Sequence, residues 1–363
     1  MNIVNIMWAG GSPYISIHNV HHQVLTHAGP DASISNWLLR EGELRHGQCA
    51  TREWRMPQRA LKSKPVWRLL RPWLRLRMQR ALQDVDADVV LLDGIGVARL
   101  VLPLLHRMPT LRASVLFHAC TELNSADKLL LRGLPAQRLR LAAVSQTLAC
   151  TLQSDLGRPV QALRVAFDPQ VFRRELLSRE QARAVLELPQ DGRLLLGAVG
   201  RLVESKGFEL LIEAFAAGAS TRPEVQLAIV GEGPLYARLQ ARIEALGLVG
   251  RVHLCGYHDQ LQQLYRAFDW LMVPSRAEGL GLVVQEAVIA DVAVACSDLP
   301  VFREQLQAGG YYLPVGSVAQ WAQAIGRCDS ANAQAMAAMQ RQALAPDAAW
   351  QAFCDGSQRL LRG

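Results

Sequence analysis

The chain has few cysteines, and they show no pairing pattern. Seven are scattered over 363 residues, and no Cys-x-x-Cys occurs among them. An odd count without paired spacing argues against a disulfide framework or a cysteine-based zinc site. The sequence therefore predicts a reducing, cytoplasmic environment with buried thiols, and it excludes the class of small disulfide-rich secreted proteins.

Long apolar runs are also missing. No stretch is as long and as continuously apolar as the roughly 18 residues that a membrane-spanning helix needs. The opening segment MNIVNIMWAGGS has neither the basic start nor the long apolar middle of a signal peptide. We therefore expect a soluble or peripheral protein.

Charge is unevenly placed. The formal net charge is +7, and residues 52–80 alone hold ten Lys and Arg against one acid, Glu53. That segment contributes +9, so the other residues sum to −2. Basic character that is this local predicts a surface with one role.

The length predicts two domains, and the apolar fraction of 50% is enough to fill two cores. Continuous apolar runs indicate buried parallel strands, and helical patterns alternate with them. The runs lie at 2–8, 87–93, 113–119 and 139–145, and then, after a polar stretch, at 194–200, 225–231, 251–256, 270–275 and 292–298. Two successive β/α series predict an α/β protein with two doubly wound Rossmann-like domains facing each other across a cleft.

The same pattern sets the domain boundaries. We expect an N-terminal domain over 1–168 and a second domain over 191–345. The polar, proline-containing stretch 169–190 reads as an interdomain linker, and 346–363 as a closing helix.

Ligands of doubly wound sheets bind where the strands end, so the polar residues there are the candidates. The strand at 194–200 ends in GRLVESKG, where Arg201 and Lys206 place two cations at a helix entrance. Cations beside a helix N-terminus make an anion site that suits a diphosphate. The alternative is two solvated surface cations.

A second set of polar residues follows the strand at 270–275. In PSRAEGLGLVVQEA, Glu278 lies in the loop, Gly279 and Gly281 expose backbone amides, and Glu286 comes two helical turns later. Carboxylates accept hydrogen bonds from diols, and helix-start amides suit phosphates.

The C-terminal half resembles the large family of retaining, GT-B-fold, nucleotide-sugar glycosyltransferases with a Glu-x7-Glu motif, glycosyltransferase family 4. The matching segments are VGRLVESKGFELLIEAFA, LAIVGEGPL, RVHLCGY and VPSRAEGLGLVVQEAVIADVAVACSD. The N-terminal half matches more loosely, through the Gly-Gly turn, FHAC and AAVSQTLACTL. Bacterial transferases of the lipopolysaccharide core and of envelope glycolipids are the relatives it resembles.

The resemblance implies roles in donor binding. Glu278 would hold the donor sugar and Glu286 the nucleotide ribose, while Arg201 and Lys206 would stabilise the leaving diphosphate. The phosphates would lie along the backbone of Gly279, Leu280, Gly281 and Leu282, and the base near Gly256 and Tyr257. Gly10 and Gly11 would approach the diphosphate from the other domain. The resemblance implies a nucleotide sugar as substrate, no cofactor and no metal.

His118 ends the strand ASVLFHA and, by the resemblance, matches a histidine near the reacting centre. It would make a polar contact or handle a proton during a reaction that retains the anomeric configuration. The alternative is a histidine satisfied beneath a loop. His18, His21 and His22 have helical spacing, which is compatible with a metal site but more typical of a solvated or cleft-facing helix.

Some positions depart from the family pattern. Ala166 and Phe167 stand where Asn-Gly is usual, and Asp291 stands where a glycine is common. Ala293 replaces a proline and Leu280 a phenylalanine. None removes a charged group of the site, so we expect an active hexosyltransferase, with the donor and acceptor left open and UDP favoured.

The basic segment bears on the acceptor. Residues 51–82 interleave ten cations with three tryptophans, a composition typical of helices that lie in a membrane interface. Its predicted membrane contacts are Trp54, Trp67, Arg68, Arg71, Trp73 and Arg75, with Pro72 expected to kink the helix or to end a shorter one. The main prediction is a lipid-linked acceptor at the inner face of the cytoplasmic membrane. A soluble acceptor, or a non-catalytic protein that binds polyanions, are the alternatives, and no nucleic-acid motif is present.

Overall fold

The computed structural model describes residues 1–9, 15–41, 52–56, 65–119 and 122–362, with the backbone alone at 15, 16 and 65–71. The chain divides into two compact units. Unit 1 is Met1–Val165 with Gln351–Gly363, and unit 2 is Ala166–Trp350. The division falls close to the predicted boundary at residue 168.

Unit 1 is built on a parallel sheet. Its described strands are β1 Asn2–Met7, β2 Ser33–Leu38, β3 Arg52–Glu53, β4 Val89–Asp93, β5 Arg112–Phe117, β6 Leu139–Ala143 and β7 Gln161–Ala162. Their order is β3-β2-β1-β4-β5-β6-β7, so the direction of strand addition reverses between β1 and β4. The register places Asn5 between Asn36 on β2 and Leu91 on β4. The four strands predicted in this half are confirmed; β2, β3 and β7 were not predicted.

Helices follow the strands of unit 1. They are α1 Ile15–Thr26, α2 Pro65–Asp84, α3 Gly94–Val101, α4 Ser125–Arg132 and α5 Gln146–Leu156. Two begin with side-chain caps, because Asn124 accepts a hydrogen bond from Asp127 N and Ser145 accepts one from Leu148 N.

Unit 2 repeats the same design. Its described strands are β8 Leu194–Val199, β9 Val225–Val230, β10 Val252–Leu254, β11 Trp270–Val273, β12 Ala293–Ser297 and β13 Tyr311–Leu313. All pair in parallel, in the order β10-β9-β8-β11-β12-β13. The five predicted strands are confirmed, and β13 was not predicted.

The helices of unit 2 cover both faces of this sheet. They are α6 Pro169–Glu175, α7 Arg179–Val185, α8 Phe208–Gly218, α9 Tyr236–Ala245, α10 Leu282–Ile289, α11 Pro300–Leu306, α12 Val318–Arg327 and α13 Ser330–Leu344. Successive residues of β8 point to opposite faces, so Leu194 and Leu196 enter one core cluster while Leu195 and Val199 enter the other. A last helix, α14, spans Pro346–Arg362.

The stretch 169–190 is not a bare linker. It forms α6 and α7, and Phe172, Leu186 and Leu188 are buried in the core of unit 2. Asp168 caps α6 by accepting hydrogen bonds from the amides of Gln170 and Val171. The prediction weighed the prolines and arginines of this stretch and missed its apolar spacing.

The segment 346–363 forms α14 over Pro346–Arg362, and from Gln351 onward it belongs to unit 1. Ser114 Oγ on β5 donates to Leu360 O at 2.7 Å, and Gln161 Nε2 donates to Gly356 O at 2.9 Å. Within the described ranges, no helix combines the length and the apolar content needed to cross a bilayer.

Candidate functional site

The strand order of unit 2 reverses between β8 and β11, which creates a crevice beyond the carboxyl ends of these two strands. The residues predicted to bind the nucleotide-sugar donor lie in the loops that follow these two strands. Arg201 and Lys206 follow β8, whereas Glu278 follows β11. The fold therefore brings together side chains that are 72 residues apart in sequence.

Lys206 and Glu278 form an ion pair between Nζ and Oε1. The Glu278 side chain is only 10% exposed and that of Lys206 24%, so water screens this pair weakly. Ser275 Oγ donates to the same Oε1 at 2.9 Å. A carboxylate and an ammonium are thus held side by side at the strand ends, where an anionic ligand with hydroxyl groups would meet both.

Two glycines allow this arrangement. Gly207 has φ 71°, and a Cβ there would lie 2.2 Å from Pro274 O, so only glycine lets the loop after β8 touch the loop after β11. Gly281, at φ 66°, precedes α10, and a Cβ there would lie 2.3 Å from the Phe302 ring. Because α10 follows β11, its first turn lies at the same end of the sheet as the loop that carries Glu278.

Glu286 lies on α10 and is buried, with 7% of its surface exposed. Tyr265 Oη donates to its Oε2 at 2.5 Å, and Gln262 Nε2 donates to Oε1 at 3.2 Å. Burial raises the pKa of Glu286, while these two hydrogen bonds act against that rise. Burial, together with the charge of Glu286 and the hydrogen bond to it, raises the pKa of Tyr265 well above its usual value.

The other residues predicted to bind the nucleotide sugar are more exposed to solvent. Arg201 is exposed, and among the described residues it has no acidic partner. Tyr257 is 40% exposed, and the preceding Gly256 accepts a hydrogen bond from Gly231 N at 2.7 Å. Gln305 Nε2 donates to Leu280 O, which fixes the loop before α10.

Unit 1 holds a second cluster of polar side chains, beside the point where the order of its own strands reverses. His118 follows β5, Asp93 ends β4 and His21 lies on α1. The two imidazoles are stacked, and their Nε2 atoms are 3.1 Å apart. Asp93 Oδ1 lies 3.9 Å from His118 Nε2, and Trp8 N donates to Asp93 Oδ2 at 3.2 Å.

Burial controls the protonation of this cluster. It lowers the pKa of His118 to about 3 and also lowers that of His21, so both rings are neutral at pH 7. It raises the pKa of Asp93 to about 6. A neutral His118 is able to make a polar contact with a ligand or to accept a proton, but it does not supply a fixed positive charge.

His21, Asp93 and His118 place one donor atom each within 4.8 Å of one another, so by spacing alone they could hold a metal ion. The Nε2 atoms of the two histidines are, however, already at hydrogen-bond distance from each other. His18 is turned elsewhere, with its Nε2 at 2.7 Å from Ala9 O. The absence of a metal requirement stays a prediction.

Gly10 and Gly11, predicted to approach the diphosphate, lie outside the described residues. Sequence reasoning missed Ser275 and Tyr265, which act only as contacts of the predicted glutamates. It also missed Asp93, whose place at the end of a predicted strand was the available signal.

The basic segment differs from its prediction at Trp54. This ring is 8% exposed, lies 5.6 Å from the Trp37 ring and is covered by Arg52 at 4.5 Å. Residues 52–53 add a strand to the sheet, which draws Trp54 inward. Trp54 is therefore not available to a membrane, and that assignment was wrong.

Helix α2 runs through Pro72, so the alternative that a shorter helix ends there is also wrong. Trp73 and Leu76 are 56% and 40% exposed. Arg77 lies over the Trp73 ring at 5.2 Å, whereas Arg75 donates to Arg99 O at 3.1 Å. The side chains of Trp67, Arg68 and Arg71 lie outside those described.

Comparison with known proteins places unit 2 in context. Residues 178–342 match the family model described as glycosyl transferases group 1. The matched range includes Arg201, Lys206, Glu278 and Glu286. Over this region the resemblance to nucleotide-sugar glycosyltransferases is confirmed at the level of this family model. The assignment to the retaining family with the Glu-x7-Glu motif stays a prediction.

Two relatives indicate the range of the similarity. The chain is 30% identical over 228 residues to the 2-deoxystreptamine glucosyltransferase of Streptomyces kanamyceticus, which covers 58% of this chain and 59% of the relative. It is 30% identical over 136 residues to a lipopolysaccharide core biosynthesis mannosyltransferase of Rhizobium meliloti, covering 36% and 38%. The matches thus extend over about three fifths or less of these curated relatives.

The fold is shared over the whole chain. The crystal structure of Anabaena HepE in complex with UDP and glucose has a TM-score of 0.77, with 99% of each chain covered and 17% identity. The α/β class with two Rossmann-like domains is confirmed, and the structural neighbours are GT-B glycosyltransferases.

Proposed function

We propose that the protein is a retaining glycosyltransferase that moves a hexose from a nucleotide sugar, with UDP favoured, to a lipid-linked or lipopolysaccharide-core acceptor. The observation that carries the proposal is the ion pair of Lys206 and Glu278 between the loops after β8 and β11. It lies beside the start of α10, within the region that matches the glycosyltransferase family.

In this proposal Glu278 accepts hydrogen bonds from hydroxyls of the donor sugar. Lys206 and the exposed Arg201 stabilise the diphosphate as it leaves, since cations aimed at developing negative charge lower the barrier. The backbone from Gly279 to Leu282 binds the phosphates. The charge needed at the leaving group is thus supplied by side chains, and we expect turnover to persist in EDTA.

Glu286 binds the ribose. Its oxygens are already engaged, but unequally, since Tyr265 donates at 2.5 Å and the half-buried Gln262 at 3.2 Å. A ribose diol would therefore displace or share the Gln262 contact on Oε1, while Tyr265 keeps the carboxylate in place. The base would lie along Gly256 and the exposed Tyr257.

A thermal-shift panel of UDP, GDP, ADP and their sugars tests the donor. A ligand that binds only the folded state at 100 times its Kd adds about 2.7 kcal/mol of stability. UDP and a UDP-sugar are expected to raise Tm most. If no nucleotide raises Tm, the donor assignment is wrong. The anomeric configuration of the product, read by NMR, then tests retention.

The acceptor is proposed to be reached at the inner face of the cytoplasmic membrane. Support comes from α2, where Trp73 and Leu76 are exposed within the basic segment. Cations near an anionic bilayer contribute about 1 kcal/mol each, and a tryptophan suits the interface.

Vesicle binding tests this part. We expect binding to anionic and not to neutral liposomes, weakened by salt through screening. Changing Arg68, Arg71 and Arg75 to Glu should abolish it and leave nucleotide binding intact. A charge-matched control changes three exposed arginines outside the segment to Glu: Arg107, Arg174 and Arg327. Equal loss in the control, or equal binding to neutral and anionic vesicles, would refute a specific basic surface.

A soluble small-molecule acceptor is the second candidate. The observation that favours it is the similarity over 228 residues to a 2-deoxystreptamine glucosyltransferase. Absence of binding to either type of vesicle would favour this candidate.

A further inference from the structure

A chain of polar side chains runs through the interior of unit 1 and ends at His118. His118 Nε2 is 3.1 Å from His21 Nε2, and His21 Nδ1 is 2.6 Å from Asn5 Oδ1. Asn5 Nδ2 in turn donates to Asn36 Oδ1 at 2.8 Å. Three secondary-structure elements, α1, β1 and β2, contribute to this chain behind one predicted site residue.

The fold alone gives no reason for these residues. His21 is fully buried, Asn5 is 1% exposed and Asn36 9%, and Asn5 stands between the apolar Val4 and Ile6 of β1. A buried polar group costs stability unless it is hydrogen-bonded, and a partly satisfied network is worse than an apolar core. A chain of this kind is therefore explained better by what it does to His118 than by stability.

The direction of the hydrogen bonds follows from the asparagine. Because Asn5 Nδ2 donates to Asn36, its Oδ1 is the atom that faces His21, and His21 Nδ1 must carry the proton. A neutral imidazole has one N–H, so His21 Nε2 is an acceptor. His118 Nε2 must then donate to it. The Asp93 carboxyl, 3.9 Å from His118 Nε2, favours a proton on that same atom.

We infer that Asn5 and His21 are positioning residues that hold His118 as its Nε2–H tautomer and leave Nδ1 as an acceptor for a substrate hydroxyl. The identity of that hydroxyl rests on the proposed function, but the tautomer does not. The His118 side chain is 13% exposed, so part of the ring reaches solvent while Nε2 is occupied.

The tautomer can be read directly. In the full-length protein labelled with ¹⁵N-histidine, two-bond ¹H–¹⁵N correlations distinguish the Nε2–H from the Nδ1–H form, and loss of one spin system in His118→Gln assigns it. We expect Nε2–H in His118 and Nδ1–H in His21. The opposite pattern, or a mixture in His118, would overturn the inference, and no donor substrate is involved.

Two substitutions at one position separate positioning from packing. Asn5→Leu removes the acceptor for His21 Nδ1 and should give mixed tautomers in His118, with kcat lowered about 10- to 100-fold, the scale of a misplaced reacting group, and little change in KM. Asn5→Asp keeps the acceptor for His21 Nδ1 but loses the donor to Asn36 Oδ1, so it should hold the His118 tautomer and recover part of kcat. An unchanged His118 tautomer in Asn5→Leu refutes the relay.

The matched control is Ser114→Ala, which removes another buried hydrogen bond of unit 1 and should not change the tautomer. A zinc titration tests the alternative that His21, Asp93 and His118 bind a metal ion. Tight binding of one Zn²⁺ that disappears in His21→Gln would identify a metal site and overturn the relay, whereas unaltered histidine signals support it.

Discussion

Substituting Lys206 tests whether its ion pair with Glu278 serves the fold or the reaction. Lys206→Met keeps an unbranched aliphatic side chain at this position but removes the charge. Glu278, with 10% of its side chain exposed, would keep the Ser275 hydroxyl as its one hydrogen-bond partner among the residues described. Removing one partner of a fully buried pair costs about 3–5 kcal/mol. Because Lys206 is 24% exposed, we expect a smaller loss, about 1–3 kcal/mol of unfolding free energy.

The effect on turnover should be separable from this loss. A charge contact made in the transition state is worth about 3 kcal/mol, which corresponds to roughly 100-fold or more in kcat. Adding Glu278→Gln to Lys206→Met removes the unpaired carboxylate, so the double variant should regain most of the unfolding free energy. It should stay at least about 100-fold below wild type in turnover.

Arg201→Ala is the matched comparison. Arg201 is exposed and has no described acidic partner, so its loss should leave urea unfolding unchanged while lowering kcat about 100-fold. The assays are urea unfolding and initial rates with the donor identified by thermal shift. If the double variant regains turnover together with stability, the pair is structural only. Near-wild-type turnover in both Arg201→Ala and Lys206→Met would refute the diphosphate assignment.

Two further predictions concern buried carboxyl groups. Glu286→Ala should weaken binding of free UDP, whereas Glu278→Ala should spare free UDP and impair binding or turnover of the sugar nucleotide. Calorimetry on both decides this, and equal loss of free-nucleotide binding would contradict the division of roles. In unit 1 the pKa of Asp93 is raised from 3.8 to about 6, so charging it destabilises the folded state as pH rises through 6. Asp93→Asn should therefore be more stable than wild type at pH 8, by up to about 3 kcal/mol, and this gain should shrink towards pH 4. Urea unfolding that shows the same difference at both pH values would rule out this origin.

The sheets could be predicted where strands are continuous apolar runs. Each such run became a strand, and all of these except β10 lie inside their sheets, because a strand buried on both faces admits few polar residues. The missed strands lack this signal. β2 reads SISNWL, with polar residues at its start and Asn36 within it, and β3 and β7 are two residues long. β3 and β7 are the edge strands of their sheet, and strands this short depend on pairing with a neighbour, which the sequence does not reveal.

The charged residues of the candidate site were predicted from the sequence, but the residues that hydrogen-bond to them were not. Arg201, Lys206, Glu278 and Glu286 lie in local motifs beside strand ends, so position alone marks them. Tyr265 lies 21 residues before Glu286 and contacts it only through the folding of unit 2. Long-range contacts of this type leave no local pattern.

The departure at Asp291 shows how a local exception can be understood from structure. The family resemblance places a glycine there, and Asp291 has φ 62°, a left-handed conformation that glycine adopts without strain. Aspartate tolerates this region better than most residues, and its Oδ1 also accepts a hydrogen bond from Arg341 Nη1 at 2.6 Å. This position requires a left-handed backbone conformation. Here an aspartate adopts it and also forms an ion pair with Arg341.

Because Trp54 is buried, fewer residues of the basic segment support membrane binding than the sequence predicted. Composition treated residues 51–82 as one amphipathic segment, but residues 52–53 extend the sheet and place Trp54 against Trp37. The membrane proposal therefore depends on α2 alone. There Trp73 and Leu76, exposed three residues apart, lie on one helix face, which is the spacing an interfacial helix requires. A cation-rich sequence can thus divide its tryptophans between a core and a surface, and only the surface fraction bears on lipid binding.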